Sequence, residues 1–423
     1  MCSKYRYTDK MKKKLISIIG PGILVAATGI GAGDLATAAF AGSKLGLVIL
    51  WAVILGAFFK FVLNEGLTRW QLATGKTLLE GVTDHLGFPL LYGFLAYLIF
   101  WTFFVAAALM SACGVALHAV LPFIQDAGTG KIVYGIICSI AGIVLVRLGG
   151  YQLFEKVMKV CIGLMFLTVV TTAIILIQDW TELFRGLFIP SIPNISDDGI
   201  SWTVALIGGV GGTVTILCYG YWIREEGRFG EAELSNSRLD LAIAYGITAI
   251  FGLAMVIIGS TVEVEGGGAT LIIKLSEQLV AKMGMVGKWI FLLGAFGAIY
   301  SSLLGVWQSV PYLFTDVWGQ ISSNRQTNKK IIDTNSRPYR FYLYAMAIIP
   351  MIGLWFGFAR MQKLYAIIGA LFIPMLVVVL LLLNTRIKYI GKDHKYHAIA
   401  SIVLIFILGF FIWVLWMTIQ KFI

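Results

Sequence analysis

Three glycines at alternate positions and an acid interrupt an apolar stretch near the amino terminus: Gly29, Gly31, Gly33 and Asp34. Glycine is a poor helix former, and a carboxylate inside a membrane is costly unless a cation lies beside it. This combination is typical of a broken membrane helix whose carbonyl groups and acidic side chain bind a cation or a polar solute. The alternatives are glycines that only pack closely against another helix and an acid paired with Lys44 or Lys60.

A second glycine-rich segment lies at residues 207–220, with the sequence "IGGVGGTVTILCYG". Four of its glycines precede Thr213 and Thr215. Backbone groups that lose their helical partners at membrane depth are tolerated only where they line a protected or watery cavity. We therefore expect the two glycine-rich segments to mark a binding site, and close helix packing is again the alternative.

The composition indicates an integral membrane protein. Of 423 residues, 59% are hydrophobic and 13% are charged, and the mean hydropathy is +0.86. Apolar runs of about 20 residues, the length that crosses a bilayer, recur along the whole chain. We number eleven of them as spans one to eleven: 17–41, 45–69, 88–121, 131–149, 153–177, 201–222, 238–261, 286–314, 338–358, 364–385 and 397–420.

The two glycine-rich segments fall in spans one and six, which are five spans apart. Two five-span repeats of opposite orientation form a known transporter architecture, in which paired broken helices meet near the midplane of the membrane. The sequence thus predicts an all-α, single membrane domain over residues 1–423. It comprises a basic amino terminus (1–16), a first repeat (17–177), a second repeat (201–385) and an additional span (397–420).

The distribution of basic residues predicts the orientation. Most lysines and arginines between the spans lie on the side of the amino terminus, which is therefore the cytoplasmic side, and we expect the plasma membrane. The net charge of +11 follows from this topology, so we predict the lipid bilayer and no nucleic acid as a partner. No feature indicates an oligomeric state.

No motif indicates an enzyme or an ATP-driven pump. The chain contains no H-E-x-x-H pair and no Gly-x-x-x-x-Gly-Lys-Ser/Thr loop, and its five cysteines lack metal-finger spacing. We therefore predict no enzymatic activity and no cofactor.

Four stretches resemble the natural resistance-associated macrophage protein (Nramp) family of divalent metal transporters, which has the LeuT-type fold. They are "GPGILVAATGIGAGDLATAAFAGSKLG" (20–46), "RWQLATGKTLLEG" (69–81), "GAIYSSLLG" (297–305) and "NTRIKYIGK" (384–392). The resemblance implies a secondary transporter or facilitator that moves a divalent cation of the manganese, iron or magnesium class by alternating access, with the inorganic cation as substrate.

The chain departs from the family where the metal would bind. The family's Asp-Pro-Gly-Asn in span one falls on Gly31, Ala32, Gly33 and Asp34, and its Met-Pro-His in span six falls on Thr215, Ile216 and Leu217. The resemblance thus implies a substrate site at Asp34, Gly31, Gly33, Thr215 and Cys218, with Asp34 and Thr215 as metal ligands. The alternative for Thr215 is a hydrogen bond to its own helix.

Loss of the thioether and imidazole leaves mainly oxygen donors, which suit hard cations, so selectivity should be altered. Cys218 is a candidate replacement for the lost sulfur. The family's proton route uses acids in span three, and residues 100–120 contain none. The sequence therefore argues against proton coupling by that route.

Two further functions remain open. Ser301 and Ser302 in span eight are a candidate second-ion site, because adjacent hydroxyls and span-one carbonyls hold sodium in some LeuT-type folds. A sodium-coupled transporter of a small organic solute is then the alternative, favoured by the aromatic residues Tyr219, Tyr221 and Trp222. A transport-dead sensor is the second alternative. Glu65 in span two is a candidate gate or proton acceptor.

Overall fold

The computed structural model describes residues 20–193, 199–262, 270–323, 332–392, 394–396 and 398–420. Within these ranges the side chains of residues 32–34, and of some positions in 150–165, 278–283 and 415–420 together with 323, lie outside the described part. Gly33 and Asp34 are therefore described only as backbone positions in a helix.

Every regular element of the described chain is helical. The α-helices are Pro21–Gly29, Ala38–Leu45, Leu50–Thr74, Leu78–His85, Phe88–Val120, Ala127–Leu176, Trp180–Phe188, Gly199–Gly209, Cys218–Glu225, Leu234–Ser260, Leu271–Ser323, Arg337–Ile348, Phe358–Ala370, Phe372–Asn384, Ile387–Ile390 and Ala398–Gln420. A π-helix covers Ile30–Thr37, and 3-10 helices cover Gly46–Ile49, Val214–Leu217, Glu231–Glu233 and Ile349–Trp355.

The predicted all-α membrane fold is confirmed. Seven helices of the described chain are long and apolar enough to cross a membrane, and eight if the bent pair Phe166–Leu176 and Trp180–Phe188 forms one span. The count of eleven stays a prediction. Spans four and five lie within the single helix Ala127–Leu176, which continues through Gly149, where span four was predicted to end. Span nine is short and ends in a 3-10 turn that contains Pro350.

The two predicted breaks have different structures. In span one the helix does not unwind: it changes to π-helical geometry at Ile30 and returns to α-helical geometry at Ala38. In span six the helix ends at Gly209, and both Gly211 (φ 72°) and Gly212 (φ 82°) adopt left-handed backbone that favours glycine. The chain then resumes as a 3-10 turn at Val214.

Span one packs against span seven through glycines. A Cβ atom at Gly42 would collide with the carbonyl oxygen of Val256, and one at Gly259 would collide with the carbonyl oxygen of Ala39. Such backbone contact between small residues is a common source of helix association in membranes, where lipid leaves little hydrophobic driving force. The contact fixes the position of span one, and with it the first glycine-rich segment.

We expect Gly259→Leu to destabilise the protein by about 2 kcal/mol or more, because a side chain there forces two backbones apart. Gly246→Leu is the matched control, since Gly246 lies in the same helix and a Cβ atom there meets nothing within 4 Å. Thermal unfolding in detergent measures both variants. Equal melting temperatures for the two variants would contradict the packing argument.

Candidate functional site

The glycine-rich segments of spans one and six are in direct backbone contact. A Cβ atom on Gly29 would lie 2.7 Å from the carbonyl carbon of Gly211 and 2.9 Å from the amide nitrogen of Gly212. Only glycine at position 29 permits this approach, because any larger residue would displace the left-handed turn of span six. The structure thus brings together the two segments that the sequence singled out.

Ser302 of span eight inserts into the hydrogen bonding of span one. Its hydroxyl accepts a hydrogen bond from the Gly31 amide (2.6 Å) and donates one to the Ala27 carbonyl (2.8 Å). In an α-helix the Gly31 amide would donate directly to the Ala27 carbonyl, four residues earlier. A side chain inserted in this way is an established cause of local helix distortion. It explains why the π-helix begins here.

Ser301 lies beside the same carbonyl but is bound mainly to its own helix. Its hydroxyl lies 2.7 Å from the Ala298 carbonyl and 3.3 Å from the Ala27 carbonyl. The predicted proximity of the serine pair to span-one carbonyls is thus present. In this arrangement the two hydroxyls bond to the protein itself, so any second ion would have to displace these bonds.

The span-six residues that align with the family motif lie in the 3-10 turn just after the break. Thr215 is 7% exposed, and a Cβ atom at Gly212 would collide with its hydroxyl oxygen. Cys218 is fully buried at the start of the next helix, near Ser309 of span eight. Thr213 accepts a hydrogen bond from the indole of Trp101 (3.0 Å), which reaches the break from span three.

Lys60 of span two lies at the carbonyl end of the first half of span six. Its ammonium nitrogen lies 2.8 Å from the Gly208 carbonyl, 3.0 Å from that of Val210 and 3.4 Å from that of Ile207. The side chain is fully buried. One turn earlier, a Cβ atom at Gly56 would lie 2.9 Å from the Ile207 carbonyl, so glycine lets the two helices approach closely enough for Lys60 to reach.

From the sequence, Lys60 is one alternative partner for Asp34, and this pairing stays a prediction because the Asp34 side chain lies outside the described part of the structure. A positive charge in the middle of an apolar span must find a partner, and the end of a broken helix supplies several carbonyls. This signal was present in the sequence, but the choice of partner depends on tertiary contacts.

Three buried oxygens near the breaks have no hydrogen-bond partner among the described residues: Thr28 Oγ1, Asn64 Oδ1 and Thr248 Oγ1. Asn64 donates from its amide nitrogen to Tyr245, whose ring packs on Gly211, and Thr248 also lies beside Gly211. The described side chains contain no group of three or more His, Cys, Asp or Glu that could hold a metal. Neutral oxygens and backbone carbonyls therefore dominate the described surroundings of the site.

Asp34 belongs to the π-helix Ile30–Thr37, one turn after the Ser302 contact. Its side chain, like that of Ala32, lies outside the described part of the structure. Its role therefore stays a prediction.

Two buried acids hold the end of the bundle that is predicted to face the cytoplasm. Asp240 of span seven accepts hydrogen bonds from the Gly22 amide (2.9 Å) and the Tyr219 hydroxyl (3.0 Å), and it pairs with Arg228 (3.2 Å). This carboxylate ties the start of span one to spans six and seven. Asp240 is not among the residues that the sequence pattern indicated.

Asp316 of span eight accepts from the hydroxyls of Tyr221 (2.6 Å) and Thr77 (3.0 Å). Burial and the charge of Asp316 raise the pKa of the nearby Glu80, which lies outside the spans. Glu65, the candidate gate, pairs with Arg69 (2.6 Å) and Arg238 (2.7 Å), so it links spans two and seven.

We expect Ser302→Ala to lower the melting temperature more than Ser301→Ala does. The first change leaves the buried Gly31 amide and Ala27 carbonyl without the hydroxyl between them, at a cost of about 1–3 kcal/mol. The second removes mainly a bond within one helix. Thermal unfolding in detergent compares these neighbouring variants, and a larger loss for Ser301→Ala would refute the assigned role of Ser302.

Curated relatives include the divalent metal cation transporters MntH of Yersinia enterocolitica and of Pectobacterium carotovorum. Each is 24% identical to this chain, over 251 and 254 residues respectively. The alignments cover 57% and 59% of this chain and 58% and 59% of the relatives, so the match spans less than two thirds of their length.

Solved structures show the same fold. A mutant of the manganese transporter from Eremococcus coleocola aligns with a TM-score of 0.69 at 15% identity, over 94% of this chain and 85% of that one. MhsT in complex with L-phenylalanine aligns with a TM-score of 0.60 at 14% identity, over 91% of this chain and 97% of that one. At such low identity these likenesses concern the fold alone.

A family-level comparison covers almost the whole length of the chain. Residues 22–420 match the family described as natural resistance-associated macrophage protein-like, and the chain therefore belongs to this family.

Proposed function

We propose that this protein moves a divalent metal cation across the membrane by alternating access. The observation that carries the proposal is the backbone contact between span one, where its helix changes geometry, and the break of span six, Gly29 on Gly211 and Gly212, in a chain of this family. Interrupted helices of this kind present carbonyl and amide dipoles near the midplane, which is where such folds bind their substrates. The relatives named as divalent metal cation transporters support the choice of substrate.

The donor set favours hard cations. The oxygens of Thr28, Asn64 and Thr248 lie near the breaks, and Thr215 stands in the position of the family's methionine. Oxygen ligands suit magnesium, calcium and manganese, whereas a thioether favours softer metals. With Asp34 as the charged ligand, such a site would discriminate less sharply against magnesium and calcium than a site that contains sulfur.

The aromatic residues that favoured an organic substrate have other roles in the structure. Tyr219 bonds to Asp240, Tyr221 bonds to Asp316, and the Trp222 indole donates to Gln308 (2.9 Å). All three are buried among protein groups. They stabilise the half of the protein that is predicted to face the cytoplasm. The organic-solute alternative therefore loses the observation that mainly favoured it.

The contacts of Asp240 and Asp316 also supply a means of gating. Opening towards the predicted cytoplasmic side requires span one to leave span seven, and therefore requires the Gly22 amide to leave Asp240. We propose a cytoplasmic amino terminus in the plasma membrane, as the distribution of basic residues indicates. We also propose transport without the family's proton route, since residues 100–120 contain no acid.

We expect Asp34→Ala to abolish binding of manganese, magnesium and calcium, because it removes the negative charge that compensates a divalent cation. Isothermal titration of the purified protein with each ion measures this, and Glu182→Ala, at an exposed position, is the control. Unchanged binding in Asp34→Ala would place the site elsewhere.

A wild type that binds none of these ions, but takes up an organic solute with sodium, would favour the first alternative function. Binding without manganese uptake into proteoliposomes would indicate the sensor instead.

We expect Thr215→Met to shift the preference from magnesium towards manganese and cadmium, because it restores a soft sulfur ligand at the family position. The measurement is the ratio of dissociation constants for manganese and magnesium. Ile216→Met, in the same 3-10 turn, is the matched control that adds a thioether at a neighbouring position. An equal shift in both variants, or none in Thr215→Met, would remove Thr215 from the ligand set.

A further inference from the structure

The break of span six contains a set of carbonyls that would bind a cation. The last carbonyls of a helix have no partner within the helix and carry a partial negative charge. At this break the carbonyls of Ile207, Gly208 and Val210 converge on one point, deep in the protein and beside the contact with span one. Half-helix ends of this kind coordinate small cations in transporters that have paired broken helices.

In this protein the point of convergence is taken by the ammonium group of Lys60. An ammonium group is a compact point charge with three hydrogen-bond donors. Its distances of 2.8 and 3.0 Å to two carbonyls are those of good hydrogen bonds, and the third carbonyl lies at 3.4 Å. The whole side chain is fully buried. The partial negative charge of the helix end helps to compensate the buried ammonium group.

Neighbouring residues of span two bring this part of the helix close to the break of span six. Gly56, four residues before it, allows close contact with Ile207, and Asn64, four residues after it, donates to Tyr245 (3.1 Å). The ring of Tyr245 in turn packs on Gly211. These three residues of span two lie on one face of the helix and support both sides of the break.

We propose that the Lys60 ammonium group is a tethered cation that fills a monovalent-cation site at the break of span six. The protein thereby carries in its own chain the charge that an alkali or ammonium ion would otherwise supply. Transport and stability should then be independent of sodium and potassium.

A consequence for selectivity rests on the proposed function. Because Lys60 occupies the carbonyls of the first half-helix, a substrate cation must find its ligands on span one, on the second half of span six and on neighbouring oxygens such as those of Asn64 and Thr248. The positive charge nearby also makes a compensating acid necessary, and Asp34 is the acid that span one supplies.

The experiment replaces the tethered cation by a free one. Purified Lys60→Ala should unfold several degrees below the wild type in choline chloride, because buried carbonyls lose their donor. Methylammonium chloride at the same concentration should restore most of this loss. Choline provides the same ionic strength, but its quaternary ammonium has no N–H donor. The wild type should unfold at the same temperature in both salts.

Lys131→Ala is the matched control. Lys131 is also buried, but its ammonium nitrogen donates to one carbonyl, that of Phe356 (2.6 Å), rather than to several carbonyls that converge on it. We expect this variant to lose stability without specific restoration by methylammonium. Equal restoration in both variants would contradict a built site at Lys60.

Two results with Lys60→Ala would overturn the proposal: a melting temperature equal to that of the wild type, or a loss that neither methylammonium nor ammonium restores. If Lys60→Ala cannot be purified in either salt, Lys60→Ser is tested in its place by the same criteria. The proposal is also rejected if neither variant folds in methylammonium chloride. Since unfolding is measured without divalent metal, the result is separate from the proposed transport. If the wild type bound no divalent metal, the proposed transport function would be rejected, but the proposal that Lys60 is a tethered cation would not be affected.

Discussion

The hydroxyl of Ser302 separates two groups of span one that would otherwise bond to each other. It stands between the Gly31 amide and the Ala27 carbonyl, accepting from the first and donating to the second. Much of the site depends on this one contact. It fastens span one to span eight, satisfies the backbone where the helix changes geometry, and begins the π-helix that contains Asp34. A π-helical turn holds more residues than an α-helical turn, so it changes the direction in which every later side chain of the span points.

Spans one and six satisfy the backbone groups of their interrupted helical hydrogen bonds in different ways. Backbone polar groups at membrane depth must be satisfied within the protein. In span one a neutral hydroxyl serves both a donor and an acceptor, and the helix continues. In span six the helix ends, its carbonyls are left without donors, and the ammonium group of Lys60 supplies donors and charge together. Glycines at positions 29, 211 and 212 then allow the backbones of the two spans to come into contact.

Several of these features could be predicted from the sequence. Glycine-rich segments in spans one and six, five spans apart, predicted that the two segments meet, and a serine pair predicted contact between span eight and span-one carbonyls. The predicted break is present in span six, but in span one the helix continues with π-helical geometry. The π-helix could not be predicted, because it depends on a hydroxyl from residue 302 that is distant in sequence. The contact of Lys60 with the carbonyls of span six could not be predicted for the same reason, since the helix end that it reaches exists only once span six is broken. Nor did the sequence distinguish an aromatic lining of a substrate site from the buried contacts that Tyr219 and Tyr221 make with acids.

The departure from the family motif is easier to understand from this geometry. This chain lacks the family's proline in span one and its methionine and histidine in span six. Spans one and six remain in contact because serine, lysine and glycine residues stabilise them through backbone groups. Side-chain ligands can therefore change without loss of the scaffold that brings them together. What changes with them is the chemistry of the proposed site. It has no sulfur or imidazole at the motif positions and a fixed positive charge at the end of span six, so under the proposed function discrimination among cations would come from oxygen donors and from the acid of span one. A site of this kind selects by charge and size, since hard oxygen ligands bind divalent ions with less regard to softness than a thioether does.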